Sequence, residues 1–175
     1  QSLIDAFVGL GSNINQPALQ LSKACRSMAA LGNTQLVAIS PVYESPPMGP
    51  ADQPHFLNAC AHLRTGLSPG ELLTSLQAIE TAMGRIRRRR WGERCIDLDL
   101  LLVGNLQLKN EVLTLPHPGL YSRDFVLRPL SDLLGREFVM PNGVDIGTLL
   151  AVCTTERLEK LNIVLPKGNE PGNPP

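Results

Sequence analysis

Alternating strand and helix signals predict an α+β fold: an antiparallel sheet with helices packed against it. Three observations carry this. Short apolar runs bounded by turn residues fall at residues 3–10, 35–43, 56–64 and 96–103. Two stripes of helical period lie between the first and second runs and between the third and fourth, giving the order βαββαβ. The chain has 175 residues, 43% hydrophobic and 18% charged, the composition of a globular protein long enough to bury a real core.

The run at 3–10 is short enough for a buried strand, and GSNINQP breaks it. In the helix that follows, Pro17 sits near the start, Leu21, Ala24, Cys25, Met28 and Leu31 share one stripe, and Gly32 is the expected C-cap. The second strand, 35–43, ends at SPPMGP, and the third spans 56–64. The second helix has the fullest signature: Ser68 as N-cap, Pro69 at the first helical position and Glu71 completing a capping box. Leu72, Leu76, Ile79 and Met83 form its buried stripe, Gly84 ends it, and Gln77 and Glu80 lie beside the stripe. The fourth strand spans 96–103, and Asn105 is expected to turn it into a hairpin with 106–115. A further helix is expected over 122–134, broken or bent at Pro129. This is most simply a ferredoxin-like βαββαβ sandwich plus C-terminal additions. A single domain is expected over 1–165, with a disordered tail, PKGNEPGNPP, over 166–175.

Sixteen basic and sixteen acidic residues give a net charge of zero, which argues against a general nucleic-acid binder. Cys25, Cys60, Cys95 and Cys153 form no C-x-x-C pair, so zinc is not expected and the cysteines read as buried thiols in a reducing compartment. There is no basic and apolar leader pattern and no apolar run near the ~20 residues that span a bilayer. A cytoplasmic protein without membrane contact is expected.

The chemistry concentrates in RIRRRRWGERCIDLDLLLVG, residues 85–104, where six arginines precede two aspartates. Side chains at i and i+2 of a strand face the same way, so Asp97 and Asp99 share a face with Cα atoms roughly 6.5–7 Å apart. Two carboxylates so placed repel each other and call for a cation between them. They can bind Mg²⁺, or pair with Arg94 and its neighbours in a structural ion cluster; D-x-D alone fits both. Two aspartates do not neutralise six arginines, however, whereas a polyphosphate with Mg²⁺ accounts for both features. No P-loop is present. GLGSNI only begins a G-x-G-x-x-G pattern, so Gly9 and Gly11 read as packing and turn residues.

The segment RWGERCIDLDLL (90–101) resembles the signature of the 6-hydroxymethyl-7,8-dihydropterin pyrophosphokinases of folate biosynthesis. GLGSN (9–13), SPVYESPPMGPADQPHFLNA (40–59), QAIE (77–80), GRIR (84–87) and LTLPHPGLYSRDFVLRPL (113–130) resemble further family segments in the expected order, so that the likeness covers residues 3–160. The resemblance implies attack of the pterin hydroxymethyl oxygen on the β-phosphorus of ATP, release of AMP, and two Mg²⁺ ions held by Asp97 and Asp99. It implies catalytic roles for Arg85 and Arg94. It implies an ATP site of Gln77, Glu80, Arg87, Trp91, Arg94, Leu100, Thr114, His117 and Arg123, and a pterin site of Ser45, Pro46, Met48, Phe56, Asn58, Trp91 and Phe125. Glu80 is expected to orient Arg94 or a metal-bound water, and segment 87–93 to close over both substrates. Val112 and Pro118 depart from residues carried by some members.

The partners implied are small molecules, with no nucleic acid, acting on a monomer. Two other classes fit the element order: an RRM-like RNA-binding module, which needs exposed aromatics on its central strands, and a non-catalytic ferredoxin-like domain whose D-x-D and arginines form an ion-pair network.

Overall fold

The computed structural model describes residues 2–84, 93–153 and 158–168. β1 (Ile4–Ser12), β4 (Phe56–Thr65) and β5 (Asp97–Val103) form the heart of an antiparallel sheet, with β4 and β5 on either side of β1. β2 (Thr34–Ile39) and β3 (Val42–Ser45) share the far edge of β4, and β8 (Glu159–Leu161) pairs outside β3. Strand four of the βαββαβ core thus lies beside strand one, and strand three beside strand two, the order of a ferredoxin-like sheet.

The expected second strand is two strands. Pro41 has no N–H to give to a ladder, and the chain is held at the break by Ser40, whose N–H donates to the Cys60 carbonyl (2.9 Å) and whose Oγ accepts from the Cys60 N–H (2.8 Å).

α1 (Pro17–Ala29) and α2 (Pro69–Ala82) cover one face of the sheet. Leu21, Ala24, Cys25 and Met28 from α1 and Leu72, Leu76 and Ile79 from α2 pack on Ala6, Val8, Leu10, Ala61, Leu98 and Leu100. The α2 capping box forms as its sequence predicts: Ser68 Oγ accepts from the Glu71 N–H (3.2 Å) and the Glu71 carboxylate from the Ser68 N–H (2.8 Å). α1 ends earlier than expected. Its C-cap is Ala30, and the left-handed residue in the exit turn is Asn33 (φ 55°), not Gly32.

The opposite face carries a second core. α3 (Asp124–Leu134) and α4 (Ile146–Val152) bury Leu127, Leu130, Ile146 and Leu149 against Phe7, Cys60, Leu101 and Leu102. α3 runs unbroken through Pro129, which is itself buried beside Leu127 and Leu130, so packing holds the turn in which one backbone donor is missing. With Phe7 only 5% exposed, this face is not the open aromatic platform of an RNA-recognition module.

The 106–115 stretch does not extend β5 as a hairpin. β6 (Leu108–Lys109) and β7 (Thr114–Leu115) pair with each other as a separate ribbon. Cys25, Cys60, Cys95 and Cys153 are free thiols, the first three buried, and burial pushes the Cys25 thiol up to about 12. No helix among the described residues is long and apolar enough to cross a membrane.

Candidate active site

β5 is an edge strand, and its residues alternate between two environments. Leu98 and Leu100 are buried under α2, whereas Asp97 and Asp99 are half-buried on the opposite face. The alternation ends at a β-bulge: Leu100 pairs with Val8 and Leu102 with Phe7, which leaves Leu101 as an extra residue. On the outer edge of β5, Glu80 Oε2 accepts from the Leu98 N–H at 2.8 Å. A carboxylate only 9% exposed thus fixes the backbone between the two aspartates, a contact beyond the roles expected for Glu80.

Across the ladder, Asp97 faces Gly11 and Asp99 faces Gly9. Gly11 in turn faces Asn58 on β4. The glycines therefore form a floor of bare backbone between the aspartates and Asn58. Their reading as packing residues holds, since a Cβ on Gly11 would lie 3.2 Å from Asn58 Oδ1 and one on Gly9 3.5 Å from Leu101, but both sit within β1 and not in a turn.

Above this floor opens a cleft of about 890 Å³, part of it open to solvent. Phe56 and Phe125 line it, the latter carried on the first turn of α3. Ser45, Pro46 and Met48 form another wall, and Arg94, Arg123, Asp97 and Asp99 supply charge. Phe56 and Asn58 share a face of β4, as strand alternation predicts. Asn58 is 6% exposed, and its Nδ2 donates to Ser45 Oγ at 2.8 Å, which orients the amide.

A second cleft, about 840 Å³, opens on the other side of the same aspartates. Gln77 and Glu80 of α2 line it, together with Leu100, Thr114 and His117. Val112, 78% exposed, and Pro118 line it too.

His117 is held from three sides. Its N–H donates to the Leu101 carbonyl (2.9 Å), its Nδ1 accepts from the Gly119 N–H (3.0 Å), and its Nε2 lies 3.9 Å from Asp99 Oδ1. With Nδ1 accepting, the neutral ring carries its proton on Nε2, toward the aspartates. Burial, followed by the Arg123 charge, holds the imidazole below its ordinary pKa of 6.5, with Asp97 opposing. Arg123 lies so close over Gly119 that a Cβ there would be 2.7 Å from its guanidinium carbon, so the glycine makes room for the arginine.

The structure thus gathers Ser45, Pro46, Met48, Phe56, Asn58, Phe125, Arg94 and Arg123 in one cleft and Gln77, Glu80, Leu100, Thr114 and His117 in the other, with Asp97 and Asp99 in both. Arg85, Arg87, Trp91 and the expected closure of 87–93 lie outside the described residues. Besides the glycines, sequence reasoning missed Leu10, Ala59, Leu101 and Val126 in the first cleft and Leu73, Leu98 and Leu113 in the second. Glycines two apart on a strand were the legible signal; single apolar residues carry none.

Two half-buried carboxylates are hard oxygen donors suited to Mg²⁺. Among the described residues no cluster of three or more His, Cys, Asp or Glu forms a metal cage. Mg²⁺ is ordinarily bound through one or two carboxylates, with water and substrate phosphates completing the octahedron, so the donor set fits a metal that arrives with phosphate.

The sequence pattern of the 7,8-dihydro-6-hydroxymethylpterin-pyrophosphokinase (HPPK) family matches residues 7–135. The chain belongs to the HPPK family. It is 46% identical over 160 residues to the 2-amino-4-hydroxy-6-hydroxymethyldihydropteridine pyrophosphokinase of Haemophilus influenzae, covering 91% of this chain and 99% of that protein. Against the Pseudomonas aeruginosa protein of the same name it is 46% identical over 155 residues, covering 89% and 95%. The wild-type HPPK-DHPS of Plasmodium falciparum, solved with pteroate, superposes with a TM-score of 0.66 at 14% identity. That match covers 85% of this chain and 42% of the Plasmodium chain, and it shows a shared fold. The HPPK pattern ends at 135, one residue after α3, so it takes in both clefts and leaves α4 and β8 outside.

Proposed function

We infer that the chain transfers pyrophosphate from MgATP to the hydroxymethyl group of 6-hydroxymethyl-7,8-dihydropterin, releasing AMP, as a step in folate biosynthesis. Membership of the HPPK family supports the reaction. The observation that carries the assignment of residues is that Asp97 and Asp99 form the wall common to two unlike clefts. A reaction that joins two substrates needs such a wall, with the transferred group at it and one substrate on either side.

The first cleft suits a flat heterocycle. Phe56 and Phe125 are the plates for its faces, Asn58 offers a donor and an acceptor to its rim, and Ser45 holds Asn58 in place. Pro46 and Met48 close the side. The second cleft suits ATP: Leu100 and Thr114 beside the nucleoside, Gln77 and Glu80 on the helix side. His117 donates from Nε2 to a phosphate oxygen, and Arg123 adds positive charge at the junction. Arg94 faces the transferred group, and Arg85, Arg87 and Trp91 join the site on the strength of the family resemblance.

In the reaction the hydroxymethyl oxygen forms a bond to the β-phosphorus and gives up its proton to solvent or to the departing phosphate, the bond from that phosphorus to the α–β bridging oxygen breaks, and AMP departs with the electron pair. Asp97 and Asp99 would hold two Mg²⁺ ions, which supply charge neutralisation across the phosphates when bound. The remaining contribution of the chain is placement, bringing oxygen and phosphorus together in line and keeping bulk water out. Residues 1–165 are proposed to act as one pyrophosphokinase domain and as a monomer. The free thiols support a cytoplasmic setting.

The product tests the assignment. After incubation with ATP, Mg²⁺ and the reduced pterin, the pterin should carry two phosphates; recovery of a monophosphate or of unchanged pterin overturns it.

A further inference from the structure

Directly after β1 lies a residue that lines neither cleft. Asn13 is 1% exposed, and its backbone N–H and side-chain amide are fully engaged. Its N–H donates to the Arg94 carbonyl at 3.0 Å, and its Oδ1 accepts from the Arg94 N–H at 2.9 Å. Its Nδ2 donates to Gln53 Oε1 and to the Pro54 carbonyl, each at 2.9 Å. Gln53 is itself only 5% exposed. One buried amide therefore joins three segments far apart in sequence. They are the end of β1, the backbone of Arg94, and the far end of the 46–55 loop, which brings Pro46 and Met48 to the cleft that Arg94 also lines. The amide has a sense. Its acceptor side meets an N–H and its donor side meets two oxygens, so neither a flipped amide nor a carboxylate satisfies the same partners.

We propose that Asn13 is a positioning residue for pyrophosphoryl transfer. Its amide sets the backbone of Arg94 and the Gln53–Pro54 end of the loop against each other, so that the guanidinium and the apolar wall of the pterin cleft arrive in register. This rests on the pterin and ATP assignment given above. The plainer alternative is a buried asparagine that staples two loops and adds only to stability. The two differ in whether its loss acts through Arg94.

Asn13→Asp keeps the acceptor for the Arg94 N–H but turns carboxylate oxygen toward Gln53 Oε1 and the Pro54 carbonyl. A small misplacement of a reacting or stabilising group costs roughly 10- to 100-fold in rate, so kcat should fall by that much while KM for ATP stays within about twofold. In an Arg94→Ala background the same substitution should cost less than about threefold, because residues acting as a unit are non-additive. Hydrogen exchange on the substrate-free protein should show the Arg94 amide and the 46–55 loop losing protection together. An equal kcat loss in both backgrounds, or unchanged protection of the 46–55 loop, overturns the proposal. Exchange needs no substrate, so failure of the wild type to make AMP strikes the assigned reaction and leaves the coupling to be decided by exchange. If Asn13→Asp does not fold, Gln53→Ala removes one of the four bonds and carries the same kinetic and exchange readouts with the same deciding outcomes.

Discussion

Gly11→Ala perturbs the proposed pterin cleft at one corner. Gly11 is a strand residue without a positive φ, so alanine suits its backbone, and limiting the unfolded chain favours folding by about 0.4–1 kcal/mol. The new methyl meets Asn58 Oδ1 at 3.2 Å and Phe56 Cδ1 at 3.9 Å. The second is an ordinary contact. The first is a few tenths of an ångström too close, and Asn58 has to yield. Its bond to Ser45 Oγ is 2.8 Å long and stretches toward ~3.2 Å before it weakens much, so the fold absorbs the shift. The entropic gain and the strain are of similar size, and the melting temperature should move little. Pterin recognition should suffer, because the amide that meets the rim is displaced and a methyl stands on the floor. Loss of one or two neutral hydrogen bonds costs about 1–2 kcal/mol, or roughly 5- to 30-fold in Kd. The assay is calorimetric binding of the reduced pterin with a non-hydrolysable ATP analogue present, alongside thermal melting. Unaltered pterin affinity in a fully folded variant would refute the placement of the ring against Gly11 and Asn58.

Four further outcomes follow from the same geometry. Asp97→Asn or Asp99→Asn should leave the fold intact and lower turnover by at least about 100-fold, or about 2.7 kcal/mol of transition-state stabilisation; near-normal turnover at low Mg²⁺ would return the pair to a structural ion cluster. Phe125→Ala should weaken pterin binding with melting nearly unchanged, whereas a true core phenylalanine would cost about 3–5 kcal/mol of stability. Glu80→Ala strips the buried Leu98 N–H of its acceptor and should cost about 1–3 kcal/mol of stability, visible in denaturant melts, with Glu80→Gln much milder. His117 should titrate below 6.5 in an NMR experiment. Because the folded state resists protonating this ring, its contribution to stability is full above the unfolded pKa and falls away as pH drops through 6.5 toward the folded value. The drop in melting temperature between pH 7 and pH 5 should therefore be smaller in His117→Asn, whose side-chain oxygen can replace Nδ1 as acceptor for Gly119.

The sheet order and the site were legible to different degrees, for physical reasons. The capping box at Ser68 and Glu71 is local chemistry, and it forms as its sequence predicts. The shared face of Asp97 and Asp99 follows from a period of two, and Phe56 and Asn58 share a face for the same reason. Whether those two faces would meet was not a local question. It depends on β1 lying between β4 and β5, and on Gly9 and Gly11 falling opposite the aspartates. The split at Ser40–Pro41 was marked by the proline, yet the run of apolar residues around it reads as one strand. Pro129 misled in the opposite sense, because tertiary burial of α3 outweighs one missing backbone donor. α4 and β8 lacked a clear signal: α4 is only seven residues long, and β8 has three residues with two exposed. Asn13 shows the limit of sequence reading most sharply. In GLGSN it is one polar residue in a turn, and only the folded chain brings Arg94, Gln53 and Pro54 around its amide.

The most direct test of the account is the identity of the nucleotide released when the protein turns over ATP with Mg²⁺ and 6-hydroxymethyl-7,8-dihydropterin. Transfer at the β-phosphorus across the Asp97–Asp99 wall yields AMP in equal amount to the pterin consumed, with no ADP. ADP without AMP would mean attack at the γ-phosphorus, and it would contradict the arrangement of the two clefts about the aspartates proposed here.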